Sequence, residues 1–312
     1  MIGPVALGPD SLIAVVDDAP CQVALLKLDG RFLRRIGRCG DGPGDFRRVN
    51  ALAFRADTLL IWDDARMRLI FMGLDGTEYR ALALHDSLPF SYGLVSVSSV
   101  DDSTLVVARV TLPVSQDTAA NASAALFPLV DARSGAVRSS ALQNPPIAML
   151  PTNRDRYEYV ATCLQPNHRD PRLAVMGQWA FEGLFLESDS LTTATAFETD
   201  LAWHRPARAW GGRQEGFVPG ARSSNVVCLD RGALFWALQV DWKAIPPINT
   251  GGYMELRSCD GAPLAAQSFT PLDSSFMERP VAAEGRTVVF RSNAVFGYPR
   301  LNIFRYDGET GK

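Results

Sequence analysis

Apolar and polar positions alternate along this chain in a unit that recurs six times. In each unit a short run rich in β-branched and aliphatic residues is followed by a second apolar run that ends in an Asp- or Gly-centred turn. The first runs are SLIAVVDD from Ser11, TLLIWDD from Thr58, STLVVARV from Ser103, RLAVMGQ from Arg172, GALFWALQV from Gly232 and RTVVFRSN from Arg286. The turns lie at Asp29-Gly30, Asp75-Gly76, Asp131 to Gly135, Asp189-Ser190, Asp260-Gly261 and Asp307-Gly308. A supersecondary unit repeating about every fifty residues is the signature of an array, because one unit cannot bury its own apolar face.

The first unit reads as strands over Leu12–Val16, Val23–Leu28 and Phe32–Ile36, the last two joined by an Asp-Gly hairpin turn. The second overlays it with Leu59–Trp62, Leu69–Leu74 and Glu78–Leu84, preceded by an innermost strand over Val49–Phe54. Four antiparallel strands per unit is the make-up of a propeller blade. Helical periodicity is nearly absent, and 25 glycines with 20 prolines suit a fold made of turns.

The distance from the leading leucine to the turn aspartate is 17 residues for Leu12/Asp29 and 16 for Leu59/Asp75 and Leu173/Asp189. It grows to 26 for Leu105/Asp131 and Leu234/Asp260, placing insertions at QDTAANAS and KAIPPINTGG. Such insertions map to loops on one face of an array, often the binding face. The chain reads as all-β, one propeller domain over residues 1–312 with six blades of four antiparallel strands. Its sixth turn is followed only by ETGK, so the last blade is expected to be incomplete, covered by a partner or closed by another segment.

The segment from Ile36 to Phe46, IGRCGDGPGDF, has to carry the chain from one outer strand to the next inner strand. Its glycines allow the path, Pro43 stiffens it, and Phe46 is expected to wedge between blades. This crossing, followed by ALAF and LLIWDD, resembles the NHL-like six-bladed β-propellers of bacteria, most clearly over residues 11–84. The resemblance implies an exported, periplasmic location, although MIGPVALGPD lacks the charged and apolar regions of a signal peptide. Some six-bladed propellers are similar to sugar lactonases, which hold a divalent metal in the central channel with Glu, Asn and Asp. That likeness marks Asn50 and Asn225, each at an inner strand start, as channel-facing candidates.

A net charge of −3 argues against a nucleic-acid binder, and no apolar run is long enough for a transmembrane helix. Cys21, Cys39, Cys163, Cys228 and Cys259 show no metal-ligand spacing. Cys21 and Cys39 share one unit and would pair in an exported protein, whereas the other three read as small buried thiols. The only histidines, His85, His168 and His204, form no metal pair, and no nucleophile-elbow motif is present. GDGPGDF has no following Lys-Ser or Lys-Thr, and its aspartates would repel phosphate. Asp17-Asp18 and Asp63-Asp64 recur at one structural position, which suits capping of backbone amides or, alternatively, calcium in repeated loops.

No catalytic residue, cofactor or metal site is therefore assigned. A long segment from Leu201 carries Trp203, Arg205, Arg208, Trp210, Arg213 and Phe217 without strand periodicity. Trp with Arg is the composition of interface hot spots, so these six are the candidate partner-binding residues. The six arginines between Arg31 and Arg48 are a second candidate surface, partly neutralised by Asp29, Asp41 and Asp45, and read as a solvated rim. The functional expectation is a non-catalytic binding or scaffold propeller in a hetero-complex with protein partners, possible settings including a membrane-associated assembly. The alternative is a channel-sited metal-dependent hydrolase of the sugar-lactonase type.

Overall fold

The structure is a computed structural model that describes residues 3–16, 21–84, 94–99, 101–109, 127–141, 159–164, 172–177, 182–187, 193–199, 221–241, 248–269, 276–294 and 300–305. The first sheet contains β1 (Val5–Gly8), β2 (Leu12–Val16), β3 (Val23–Lys27) and β4 (Phe32–Ile36). The second contains β5 (Val49–Arg55), β6 (Thr58–Asp63), β7 (Arg68–Gly73) and β8 (Glu78–Ala83). The third contains β9 (Leu94–Ser99), β10 (Thr104–Arg109), β11 (Phe127–Asp131) and β12 (Val137–Ala141). The fourth contains β13 (Tyr159–Leu164), β14 (Arg172–Gly177), β15 (Glu182–Glu187) and β16 (Thr193–Glu198). The fifth contains β17 (Ala221–Leu229), β18 (Gly232–Asp241), β19 (Ile248–Arg257) and β20 (Pro263–Phe269). The last contains β21 (Phe276–Glu284), β22 (Thr287–Ala294) and β23 (Arg300–Arg305).

Every sheet is an antiparallel meander in chain order. The first strands β1, β5, β9, β13, β17 and β21 touch in sequence, and β21 returns to β1. This is a β-propeller. Its complete four-stranded blades number five, which corrects the expectation of six. The remaining sheet stops at β23, and no fourth strand pairs with it among the described residues.

Burial on both faces explains why the second strands are continuously apolar. In β2, Ala14 and Val16 enter the core shared with the second sheet, while Ile13 and Val15 enter the core shared with the last. In β6, Leu59 and Ile61 face the first sheet, and Leu60 and Trp62 face the third. Side chains of a strand point alternately to its two faces, so a strand between two neighbours needs apolar residues at every position. Truncating Leu59, Leu60 or Ile61 to Ala would cost about 2–5 kcal/mol.

Closure between the first and last sheets comes from packing. Val5, Ile13, Val15 and Ala24 meet Ala282 and Val289, and Arg291 Nη1 donates to the Gly3 carbonyl at 3.2 Å.

Strand alternation separates two ends of the propeller. Turns between first and second strands, and between third and fourth, lie at one end, hereafter the turn end. Turns between second and third strands and crossings to the next sheet lie at the other, the crossing end. At the turn end, Asp29 accepts from the Arg31 amide at 2.9 Å, and Asp75 accepts from the Thr77 amide at 2.9 Å. The glycines that follow them, Gly30 and Gly76, have φ of 86° and 92°, as such hairpins need. Asp131 accepts from Arg133 and Ser134 amides at 2.9 and 2.8 Å. The turns expected at Asp189 and Asp307 lie outside the described residues, as does QDTAANAS. Of the second insertion, Ile248 to Gly252 belong to β19, so part of that expected loop is strand.

Candidate functional site

Residues 37–48 carry the chain from β4 to β5 across the crossing end. Phe46 is fully buried in the core between the first two sheets, as the wedge reading requires. Gly37, at φ 76°, passes directly beneath its ring. Asp63, at the end of β6, is also fully buried and accepts the Arg47 and Arg48 amides at 3.1 and 3.0 Å. Arg66 Nε and Arg68 Nε lie 3.7 and 3.9 Å from its carboxylate. The recurrent acid thus caps amides of the crossing, while Asp64 pairs with Arg48. Asp17 and Asp18 lie outside the described residues.

The six arginines from Arg31 to Arg48 are exposed, as a solvated rim requires, and three of them are paired with carboxylates. Arg38 Nε donates to Asp45 at 2.6 Å, and Arg47 clamps Asp41 through two hydrogen bonds of 2.8 Å. Arg66 also reaches Asp41 and the Gly40 carbonyl, and its Nη1 donates to the Asp45 carbonyl at 3.1 Å. Arg68 reaches the same Asp45 carbonyl at 2.7 Å. The Arg47 and Arg66 guanidinium groups hold the Asp41 carboxyl at about 2. Arg38 holds Asp45 below the usual range against the opposing effect of burial, with help from the Gly42 amide. The amides of Gly42 and Gly44 donate to Asp45 and Glu78 carboxylates at 2.9 and 2.5 Å. These loop donors hold internal carboxylates, which agrees with the sequence argument against a phosphate loop.

The channel candidates are placed on first strands three steps apart around the ring. Asn50 is exposed at a register shift in β5. Asn225, on β17, is half-buried; its Nδ2 donates to the Pro280 carbonyl and its Oδ1 accepts from the Val226 amide at 3.0 Å. Among the described residues, no group of three His, Cys, Asp or Glu side chains is arranged to hold a metal ion, and no helix is long and apolar enough to cross a membrane. A cleft of about 160 Å³ opens between the first and last sheets, with Asp10, Ser11, Glu284 and Thr287 among its walls. It is smaller than the roughly 300–1,000 Å³ of small-molecule sites.

Trp203, Arg205, Arg208, Trp210, Arg213 and Phe217 lie outside the described residues, as do all three histidines. The strands that bracket the Trp/Arg segment, β16 and β17, have their adjoining ends at the crossing end. Cys21 and Cys39 form a disulfide, with Cα atoms 5.0 Å apart. Cys228, expected to be a buried thiol, is also disulfide-bonded, whereas Cys259 is a buried thiol. Pairing of thiols distant in sequence cannot be read from their spacing.

The large apolar residues that are exposed occupy a different surface. Among the described residues they are Phe32 at 53%, Leu264 at 48%, Ile303 at 39% and Phe304 at 54%. Phe32 begins β4, Leu264 is near the start of β20, and Ile303 and Phe304 are near the end of β23. All four therefore lie at the turn end, on the outermost strands of three consecutive sheets. Sequence reasoning missed this cluster because its members come from three distant segments.

No protein-family model and no curated protein sequence matches this chain. Among solved structures it is similar to a member of the DUF4221 family from Bacteroides vulgatus, with TM-score 0.67 and 10% identity over 97% of this chain and 93% of that one. It is also similar to a Bacteroides fragilis protein classed as exported, with TM-score 0.55 and 12% identity over 93% and 78% of the two chains. A third likeness is to the β-propeller domain of Cps50 (Swd1) from Myceliophteria thermophila, with TM-score 0.53 and 13% identity over 97% and 96%. These likenesses show the propeller fold; the narrower NHL-like grouping is not shown by them.

Proposed function

We propose that this chain is a non-catalytic binding propeller, one domain over residues 1–312, that presents its loops and rim to a protein partner within a hetero-complex. The observation that carries the reading is the run of exposed Phe32, Leu264, Ile303 and Phe304 along three adjacent sheets. Large apolar side chains gathered at one edge of a water-facing rim favour burial against another surface. The Trp/Arg segment from Leu201 would add contacts of the hot-spot kind, centred on Trp203 and Trp210. An exported location fits the Cys21–Cys39 disulfide, which persists in oxidising compartments. The name of the B. fragilis neighbour, which classes it as exported, points the same way. The lactonase-type alternative is less well supported, because Asn225 already uses both ends of its amide on backbone groups.

Native mass spectrometry of the tagged chain from its own cell extract tests the proposal. The expected species is heavier than the 34.0 kDa chain by a reproducible stoichiometric increment. Combined Phe32→Ser, Leu264→Ser and Phe304→Ser substitutions should return it to the mass of the chain. A wild-type chain that runs at its own mass in fresh extract overturns the reading.

A further inference from the structure

We infer that the outer edge of β23 is the docking site for an extended apolar segment of another protein, flanked by acidic residues and added as the fourth strand of the last sheet. This rests on the partner-binding reading above and specifies its mode.

The complete blades provide the internal standard. In the second sheet, β6 opens Thr58-Leu59-Leu60, with Leu59 opposite Met72 and Leu60 opposite Phe71. In the last sheet, β22 opens Thr287-Val288-Val289, with Val288 opposite Phe304 and Val289 opposite Ile303. Met72 and Phe71 are 0% and 4% exposed, whereas Phe304 and Ile303 are 54% and 39% exposed. The same two positions are therefore core in one sheet and surface in the other. The difference follows the fourth strand: β8 pairs along β7, and among the described residues nothing pairs along β23.

Both faces of an added strand would find apolar surface. Val288 lies in the core shared with the fifth sheet, so its partner Phe304 faces that side, where it meets Phe290 edge-on at 5.2 Å. Val289 lies in the core shared with the first sheet, so Ile303 faces that side. Phe32 and Leu264 stand on the outermost strands of the two flanking sheets. A segment of about five residues that is apolar at successive positions matches this slot. Main-chain pairing to the open edge would supply affinity, and side chains on alternate faces would supply selectivity.

Charge selects the occupant. Exposed Arg300 and Arg305 stand at the two ends of β23, and neither has an ion-pair partner among the described residues. A second copy adding its own β23 would bring like charges together. Antiparallel pairing would place Arg300 opposite Arg305, and parallel pairing would place each beside its own kind, both unfavourable. Carboxylates at the ends of the incoming strand would instead meet a guanidinium at each end. Arginines at an edge also suppress self-association, which favours a foreign strand over a copy.

The test uses the full chain and two synthetic peptides with a Val-Ile-Val-Thr-Val centre, one with Glu pairs at both ends and one with Lys pairs. The Glu-ended peptide should slow hydrogen exchange of those amides of residues 300–305 that point away from β22. It should bind about tenfold tighter than the Lys-ended peptide, and Arg300→Glu with Arg305→Glu should reverse that order. Failure of the Glu-ended peptide to slow that exchange overturns strand addition. So does protection, in the protein alone, of those amides of residues 300–305 that point away from β22, whether concentration-independent, which assigns the edge to the chain's own residues, or rising with a dimer mass, which assigns it to a second copy. A complex that persists by native mass while β23 stays unprotected defeats strand addition and leaves the partner reading standing. A chain with no partner by native mass defeats both.

Discussion

Gly37 lies so close under Phe46 that a Cβ built on it would meet ring carbon Cε2 at 2.1 Å. Gly37 also has φ 76°, a region that side chains with a Cβ disfavour. Gly37→Ala is expected to destabilise the fold by about 2–4 kcal/mol through this clash and the strained backbone. Phe46→Ala is expected to cost about 3–5 kcal/mol. In the double variant the ring is gone, so the two losses should add to less than their sum, which denaturant unfolding of all four proteins checks.

Asp63 holds two backbone amides in a site closed to water. Asp63→Ala should remove about 2–4 kcal/mol of stability, because the Arg47 and Arg48 amides lose their acceptor and Arg66 and Arg68 lose a nearby charge. Asp64→Ala, whose Arg48 partner is exposed, should cost less than about 1 kcal/mol. Equal losses in thermal unfolding would contradict the assignment of Asp63 as the anchor of the crossing.

Glu255 and Arg257 sit two apart on β19, hence on one face, and pair at 2.6 Å between the fourth and fifth sheets. Thr199 donates to Glu255 at 2.9 Å, and Arg257 stacks 3.8 Å over Phe197 while donating to the Gly261 carbonyl at 2.8 Å. Glu255→Ala leaves the guanidinium buried without its counter-charge and should cost about 3–5 kcal/mol. Glu255→Leu with Arg257→Met should recover most of that loss in the same unfolding measurement.

Acid should weaken the crossing end. Asp41 titrates at about 2 rather than the ordinary 3.8, chiefly because of hydrogen bonds from Arg47 and then Arg66. A carboxyl lowered by folding stabilises the folded state above its unfolded value, and that contribution disappears as pH falls through the folded value. Melting temperature should therefore decline between about pH 4 and 2, with Asp45 and Asp131 contributing in the same direction. Asp41→Asn should flatten the decline; parallel curves for the two proteins would refute its part in it.

The repeat was legible because its cause is local. All six leading runs became second strands, and strands that face two cores must be apolar throughout. The Phe46 wedge was legible too, since a glycine-rich crossing before a lone aromatic has few other arrangements. The arginine network was not, because Asp63 and Asp64 arrive from another hairpin and the pairing depends on how the crossing folds over it. Glu255 and Arg257 leave no mark in the apolar pattern, because it is the neighbouring sheet that buries them. The exposed rim required knowing which three strands become neighbours.

Five junctions between consecutive sheets are bridged by the polypeptide itself, but β1 and β21 meet by packing and by a bond from Arg291 to Gly3, positions 288 apart. Bringing such remote residues together costs about 5 kcal/mol of chain entropy. The junction is therefore the last to gain from its contacts as the chain folds. The exposed edge of β23 belongs to the sheet beside that junction. A strand bound along it would brace the last sheet, so occupancy of the rim and integrity of the ring are linked quantities.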